Sequence, residues 1–196
     1  MSDRVARATN PASPDQVAEV IRGRRSVANF RPERPDVALI RAAVEAARWA
    51  PNHHLTNPWR FYILGEQTRA AVIALNTSLV EARRGESAAA AKDKRWRKVP
   101  GWLVVTCRKS DDELVAREDY AATACAIQNL MLYLYSAGVA TKWTTGAVTR
   151  ADDFYRICDL DATQEYCAGL LWYGYAAKPA RPTPRHAVDD ILFQRN

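Results

Sequence analysis

Arg24, Arg25 and Ser26 follow one another where a helix is expected to end, and this run is the chain's clearest candidate for chemistry. Two guanidiniums offer planar forks of N–H donors and the serine adds a hydroxyl, a set suited to phosphate oxygens. The same arginines would also complement the negative end of a helix dipole, so the run alone decides nothing. A second candidate is the loop from Trp49 to Phe61, which Pro51 and Pro58 bracket and which carries His53 and His54. Such loops between a helix and a strand often hold binding residues, although Trp59 would equally suit a rigid connection that packs in the core.

Other chemistries find less support. Adjacent histidines on a helix or a strand point in different directions and His186 is remote, so no zinc site is expected. Cys107, Cys125, Cys158 and Cys167 form no C-x-x-C pair, and three of them lie in apolar runs. They read as buried, reduced thiols of a cytoplasmic protein. No G-x-G-x-x-G follows a strand, which removes the dinucleotide-binding signature, and no side chains suggest an obligatory acid–base pair.

The elements that must position these residues are legible from periodicity. Asp15 can cap a helix to about Gly23, with Val17, Val20 and Ile21 on one face. A second helix spans about 36–49, with Val37, Ile40, Ala43, Val44 and Ala47 at helical spacing. Residues 60–64 read as a strand, 67–99 as a helix broken at Gly85, and 102–107 as a strand covered on both faces. The longest helix, about 111–137, is apolar around most of its circumference and should be central or at a subunit interface, with Gly138 ending it. Strands at 139–144 and 165–175 flank a short helix at 151–159. The order predicts an α+β fold, a mixed central sheet flanked by helices. Residues 1–14 read as a flexible leader and 15–196 as a single domain. The proline-rich tail ends in Ile191, Leu192 and Phe193, apolar anchors that call for a partner surface.

Composition bounds the rest. The chain has 196 residues, enough for one domain at about 150 residues per domain and too few for two. No run approaches the roughly 20 apolar residues that a membrane helix requires. The net charge of +6 raises the possibility of nucleic-acid binding, yet acidic residues interleave with the basic ones and no nucleic-acid motif is present. The densest basic segment, residues 83–98, reads as a solvated helix face, with an anion-attracting surface as the alternative.

Taken together, the motifs resemble the nitroreductase family. Its opening pattern is R-R-S-x-x-x-F, a proline, an Ala-rich helix, then A-P-x(6)-P-W-x-F. The chain matches with Arg24-Arg25-Ser26-Val27, Phe30, Pro35, Ala50-Pro51, Pro58-Trp59 and Phe61. The match continues through Glu118-Asp119-Tyr120, Ala126-Ile127-Gln128-Asn129-Leu130, Trp143-Thr144-Thr145-Gly146, Gly174-Tyr175, and Arg185 with Asp189-Asp190. The small bacterial members are most similar, because Asn52-His53 replaces the serines usual after Ala50-Pro51.

The resemblance implies an FMN-dependent NAD(P)H oxidoreductase, a homodimer with exchanged C-terminal tails. Its electrons would pass in a ping-pong reaction to a nitroaromatic, a quinone or a related acceptor. It also implies roles for single residues. Arg24 and Ser26 would hold the FMN phosphate, Arg185 would add a second phosphate contact, and Arg25 would reach the ribityl chain or the pyrimidine edge. Trp49 and His53 would contact FMN from the other subunit, and Thr145 would offer its N–H near flavin N5, beside Trp143 and Thr144. Three positions depart from the family pattern: Ala28 stands for an Arg, Leu55 for an Asn, and Asn57 for a Gln. Two other readings stay open. One is different flavin chemistry on this scaffold, such as flavin destruction or dehalogenation; the other is a non-catalytic flavin- or nucleic-acid-binding protein.

Overall fold

Local chemistry sets the ends of the helices in the computed structural model, which describes residues 12–181 and 183–195. The first helix, α1, runs Pro14–Gly23 and is capped by Ser13, not by the expected Asp15. The Ser13 hydroxyl accepts from the Gln16 N–H at 3.3 Å, and the Gln16 side chain accepts from the Ser13 N–H at 2.8 Å. Proline at the first helical position loses no intrahelical bond, and the helix starts two residues earlier than an Asp15 cap would place it. The leader expected over residues 1–14 therefore shortens by the cap and first residue of α1, and residues 1–11 lie outside the described ones.

Helix α2 (Val37–Ala47) starts at an Asp36 cap and buries Ile40, Ala43 and Ala47. Strand β1 (Trp59–Ile63) follows, then α3 (Glu66–Arg84) and α4 (Glu86–Trp96). The expected break at Gly85 separates these two helices, with φ at 80°. Strand β2 (Gly101–Arg108) is buried through Cys107, as its continuous apolar run requires. Helix α5 (Glu113–Ser136) ends against Gly138, whose φ of 77° is the left-handed cap conformation. Strand β3 (Ala140–Thr144), helix α6 (Asp152–Cys158) and strand β4 (Glu165–Gly174) complete the fold.

The strands lie in the order β1-β2-β4-β3. The α+β class holds, but the mixed sheet does not extend to the named strands: each pairs antiparallel with its neighbours. The reason lies in the connections. Two helices between β1 and β2 return the chain to the end where β1 finished, so β2 descends beside it. The single-helix crossover β2–α5–β3 does give strands of the same sense, but β4 inserts between them. Among the described residues, parallel pairing survives only as one bridge between Ser26 and Thr141.

Two apolar layers pack the sheet. Helices α2 and α5 cover one face with Ile40, Ile127, Leu130 and Leu134 against Leu103, Val105 and Leu171. Helices α3, α4 and α6 cover the other, where Trp96, Trp102 and Trp172 meet at centroid separations of 5.2–5.9 Å. Of the cysteines, all unpaired, Cys107 and Cys158 are buried and Cys167 is half-buried, but Cys125 is exposed. An apolar sequence context does not say which side of α5 a residue takes, and Cys125 faces outward.

Candidate active site

The end of α1 is held unusually close to α5. A Cβ on Gly23 would stand 2.2 Å from the Tyr135 hydroxyl, so any larger residue would have to displace the Tyr135 ring. The chain then leaves the helix extended at Arg24 and runs along the outer edge of β3. Ser26 bridges Thr141 and the Val27 N–H bonds the Thr141 carbonyl at 3.0 Å. This edge pairing sets Arg24, Arg25 and Ser26 beside the strand that ends in Trp143 and Thr144 and leads into Thr145.

A second pairing brings back the tail. The Arg31 N–H bonds Tyr175 O at 2.8 Å and the Ala177 N–H bonds Asn29 O at 3.0 Å. The chain after β4 is thereby directed across the arginines. Arg185 joins Arg24, Arg25 and Ser26 around a cavity of about 490 Å³, which Lys178 and Arg181 also border. Arg24 and Ser26 in turn border a cleft of about 410 Å³ with Gln128, Met131, Trp143 and Thr145. The two spaces thus meet at Arg24 and Ser26.

The electrostatics of this junction are those of an anion site. Burial, and then the charges of Arg25 and Arg185, pull the Arg24 guanidinium below its usual pKa range. Among the described residues, no carboxylate lies within salt-bridge distance of these three arginines. The Nε atoms of Arg24 and Arg25 are buried without a hydrogen-bond partner. Converging cations that keep their charge and have unmatched donors are stabilised by a phosphate, which supplies acceptors only.

The wall of the cleft is fixed by β4. Trp143 Nε1 donates to Ala168 O at 3.1 Å, and a Cβ on Gly169 would fall 2.2 Å from that nitrogen. Thr144 is anchored by its hydroxyl, which donates to Leu170 O at 2.9 Å. It faces away from the cleft that Trp143 and Thr145 line. The ladder ends at the Thr144–Leu170 pair, so the Thr145 N–H takes no part in it.

Trp49 and His53 stand apart from this junction. Trp49 is 77% exposed, its indole donating to Glu45 at 3.2 Å, and His53 Nδ1 lies 2.8 Å from a Glu118 oxygen. Among the described residues, the loop carrying them holds three of the four non-glycine residues with positive φ, namely His54, Leu55 and Asn57. Its tether is buried: the Thr56 hydroxyl donates to Asp119, which Arg108 approaches at 3.5 Å. The left-handed turn at His54 overturns the expectation that the two histidines diverge. Their ring centroids lie 3.8 Å apart, and ligand-capable atoms of His53, His54 and Glu118 fall within 4.8 Å of one another. The sequence argument against a metal therefore loses its premise, because a sign change in φ is invisible in residue types.

Gln128, although part of the family match, and Met131 were not expected from sequence to line the site. They sit at helical spacing among core residues of α5, and the one signal was an amide inside an apolar run.

Comparison with known proteins agrees with this geometry. Residues 21–175 match the sequence profile of the Nitroreductase family. The chain belongs to the nitroreductase family. YfhC of Bacillus subtilis (strain 168), provisionally named an NAD(P)H nitroreductase, is 27% identical over 176 residues, covering 88% of this chain and 90% of that protein. A crystal structure of a nitroreductase-like family protein from Bacillus cereus aligns with a TM-score of 0.80 at 27% identity, over 91% of this chain and 95% of that one. The FMN-dependent nitroreductase NfnB from Mycobacterium smegmatis, solved with NADPH, shares the fold at a TM-score of 0.75. It is 17% identical, over 92% of this chain and 99% of that one.

Proposed function

We propose that this nitroreductase is an FMN-dependent NAD(P)H oxidoreductase whose phosphate cradle is Arg24, Arg25, Ser26 and Arg185. The observation that carries this reading is the cavity where three arginines without counterions converge and then open onto the Trp143–Thr145 cleft. When bound, FMN supplies a two-electron carrier that takes a hydride from the nicotinamide and delivers electrons to a small acceptor such as a nitroaromatic or a quinone. Arg24 and Arg185 hold the phosphate, and Ser26 adds a hydroxyl to the same oxygens. Arg25, with a free Nε, reaches toward the ribityl chain or the pyrimidine edge, where reduction builds negative charge that a cation stabilises. Trp143 forms a wall of the cleft, and the Thr145 N–H, free of the β-ladder, donates toward the reacting edge of the ring.

The same reading makes the active unit a homodimer with exchanged tails. Trp49, Leu55, Ile191, Leu192 and Phe193 are each more than 60% exposed, an apolar set that a second subunit would cover. His53 and Trp49 would then reach the partner's flavin. Four unpaired cysteines suit a reducing compartment and support a cytoplasmic location.

The test compares FMN with riboflavin on wild-type protein and on Arg24→Ala. A charge-assisted bond of roughly 1.5–3 kcal/mol predicts FMN binding about ten- to a hundredfold weaker in the variant. Riboflavin should bind wild-type protein poorly and be indifferent to the substitution. Equal binding of riboflavin and FMN by wild type would contradict the phosphate assignment.

A further inference from the structure

A second basic cavity, of about 340 Å³, lies on the opposite side of β3 from the flavin cleft, between α3, α4 and that strand. Its cations come from three elements. Arg83 and Arg84 end α3, Lys92 and Arg95 lie on α4, and Lys142 comes from β3 about fifty residues later. The turn at Gly85 folds the first two pairs together, and alternation along β3 turns Lys142 to this side, while Trp143 borders both this cavity and the flavin cleft.

No acidic residue lines the cavity, and none of these five cations is in a salt bridge among the described residues. Helix-dipole compensation would account for Arg83 and Arg84 in the last turn of α3 and for Arg95 in the last turn of α4. It does not account for Lys142, nor for three buried donors around the cavity. Asn76 is only 7% exposed and its amide nitrogen has no partner; the indole nitrogens of Trp96 and Trp172 are likewise buried and unpaired. Lys92 and Lys142 lie over the faces of those two indoles at 5.5 and 5.1 Å. Both ammonium groups are pulled below their usual range by burial and then by neighbouring cations, Arg95 in each case.

We propose that this cavity binds a small phosphorylated molecule, held by Lys92, Arg95 and Lys142 with Asn76 donating from below and the tryptophans packing its organic part. A lining rich in donors and cations favours an acceptor-only dianion, and the size is at the lower end of small-ligand pockets. The phosphate can come from a free metabolite or from the 2′-phosphate of NADPH. The site uses none of the cradle arginines, so it stands whether or not the flavin assignment does.

The experiment titrates pyrophosphate into the protein saturated with FMN, followed by calorimetry at low ionic strength. We expect one saturable site per chain and at least tenfold weaker binding in Lys142→Gln/Arg95→Gln. Lys142→Arg should retain binding within about threefold, and flavin absorbance should be unchanged throughout. Steady-state kinetics separates the sources. If the ligand is the NADPH phosphate, the double variant raises KM for NADPH but not for NADH, and pyrophosphate competes with NADPH. If it is a separate metabolite, both KM values hold and pyrophosphate binds without competing. Absence of saturable binding up to about 10 mM, or equal binding by the double variant, overturns the proposal. Should the protein take no flavin, the same titration is run on Arg24→Ala. Pyrophosphate lost there but unaffected by Lys142→Gln/Arg95→Gln would assign the binding to the cradle and overturn the second site.

Discussion

Gly169 illustrates how single residues shape the site. It lies on β4 under the Trp143 indole, which closes to 2.2 Å of where a methyl group would be. Gly169→Ala must push Trp143 off its bond to Ala168 O, an overpacking that costs about 1–3 kcal/mol. We expect a lower denaturation midpoint together with weaker FMN binding; unchanged FMN affinity in a destabilised variant would remove Trp143 from the cofactor wall. At this scale the sequence was partly legible. Arg24-Arg25-Ser26 is a local run and its chemistry can be read directly. The approach of Arg185 depends on pairing between residues 29–31 and 175–177, which residue types do not announce. His53 and His54 were misread for a related reason: their shared direction follows from one left-handed residue.

At the scale of elements, the loop between α2 and β1 is the informative case. Left-handed His54, Leu55 and Asn57 cost roughly 1–3 kcal/mol each unless neighbours enforce them. Leu55 occupies such a position where an Asn would sit more comfortably. What enforces the loop is the Thr56 bond to Asp119, seconded by Asn52, whose side chain donates to Thr56 Oγ1 at 3.0 Å and accepts from the Asn57 N–H at 2.7 Å. Asp119→Ala leaves a hydroxyl unmatched and should cost about 1–3 kcal/mol. Amide hydrogen exchange at residues 52–57 should rise with it. Full protection of the loop in the variant would show that Asp119 is not its tether. Helices and strands themselves were legible, because periodicity and glycine breaks are local signals. The direction of the strands was not, since it depends on whether one helix or two intervene and on β4 inserting between β2 and β3.

For the whole molecule, the surface argues for two copies. The tail from Val188 to Phe193 exposes four large apolar residues, and α5 leaves Tyr120, Tyr133 and Tyr135 partly uncovered. Light scattering at micromolar concentration should give about twice the chain mass of 21.9 kDa, and a monodisperse, flavin-loaded monomer would contradict the exchanged-tail dimer. The central claim is electron transfer from a nicotinamide through bound FMN, and one anaerobic spectrum tests it most directly. Purified protein reconstituted with FMN should keep a visible flavin band through gel filtration. That band should bleach on adding one equivalent of NADH or NADPH and return when a quinone is supplied. A colourless protein after reconstitution, or a flavin band that neither nicotinamide bleaches, would contradict the account.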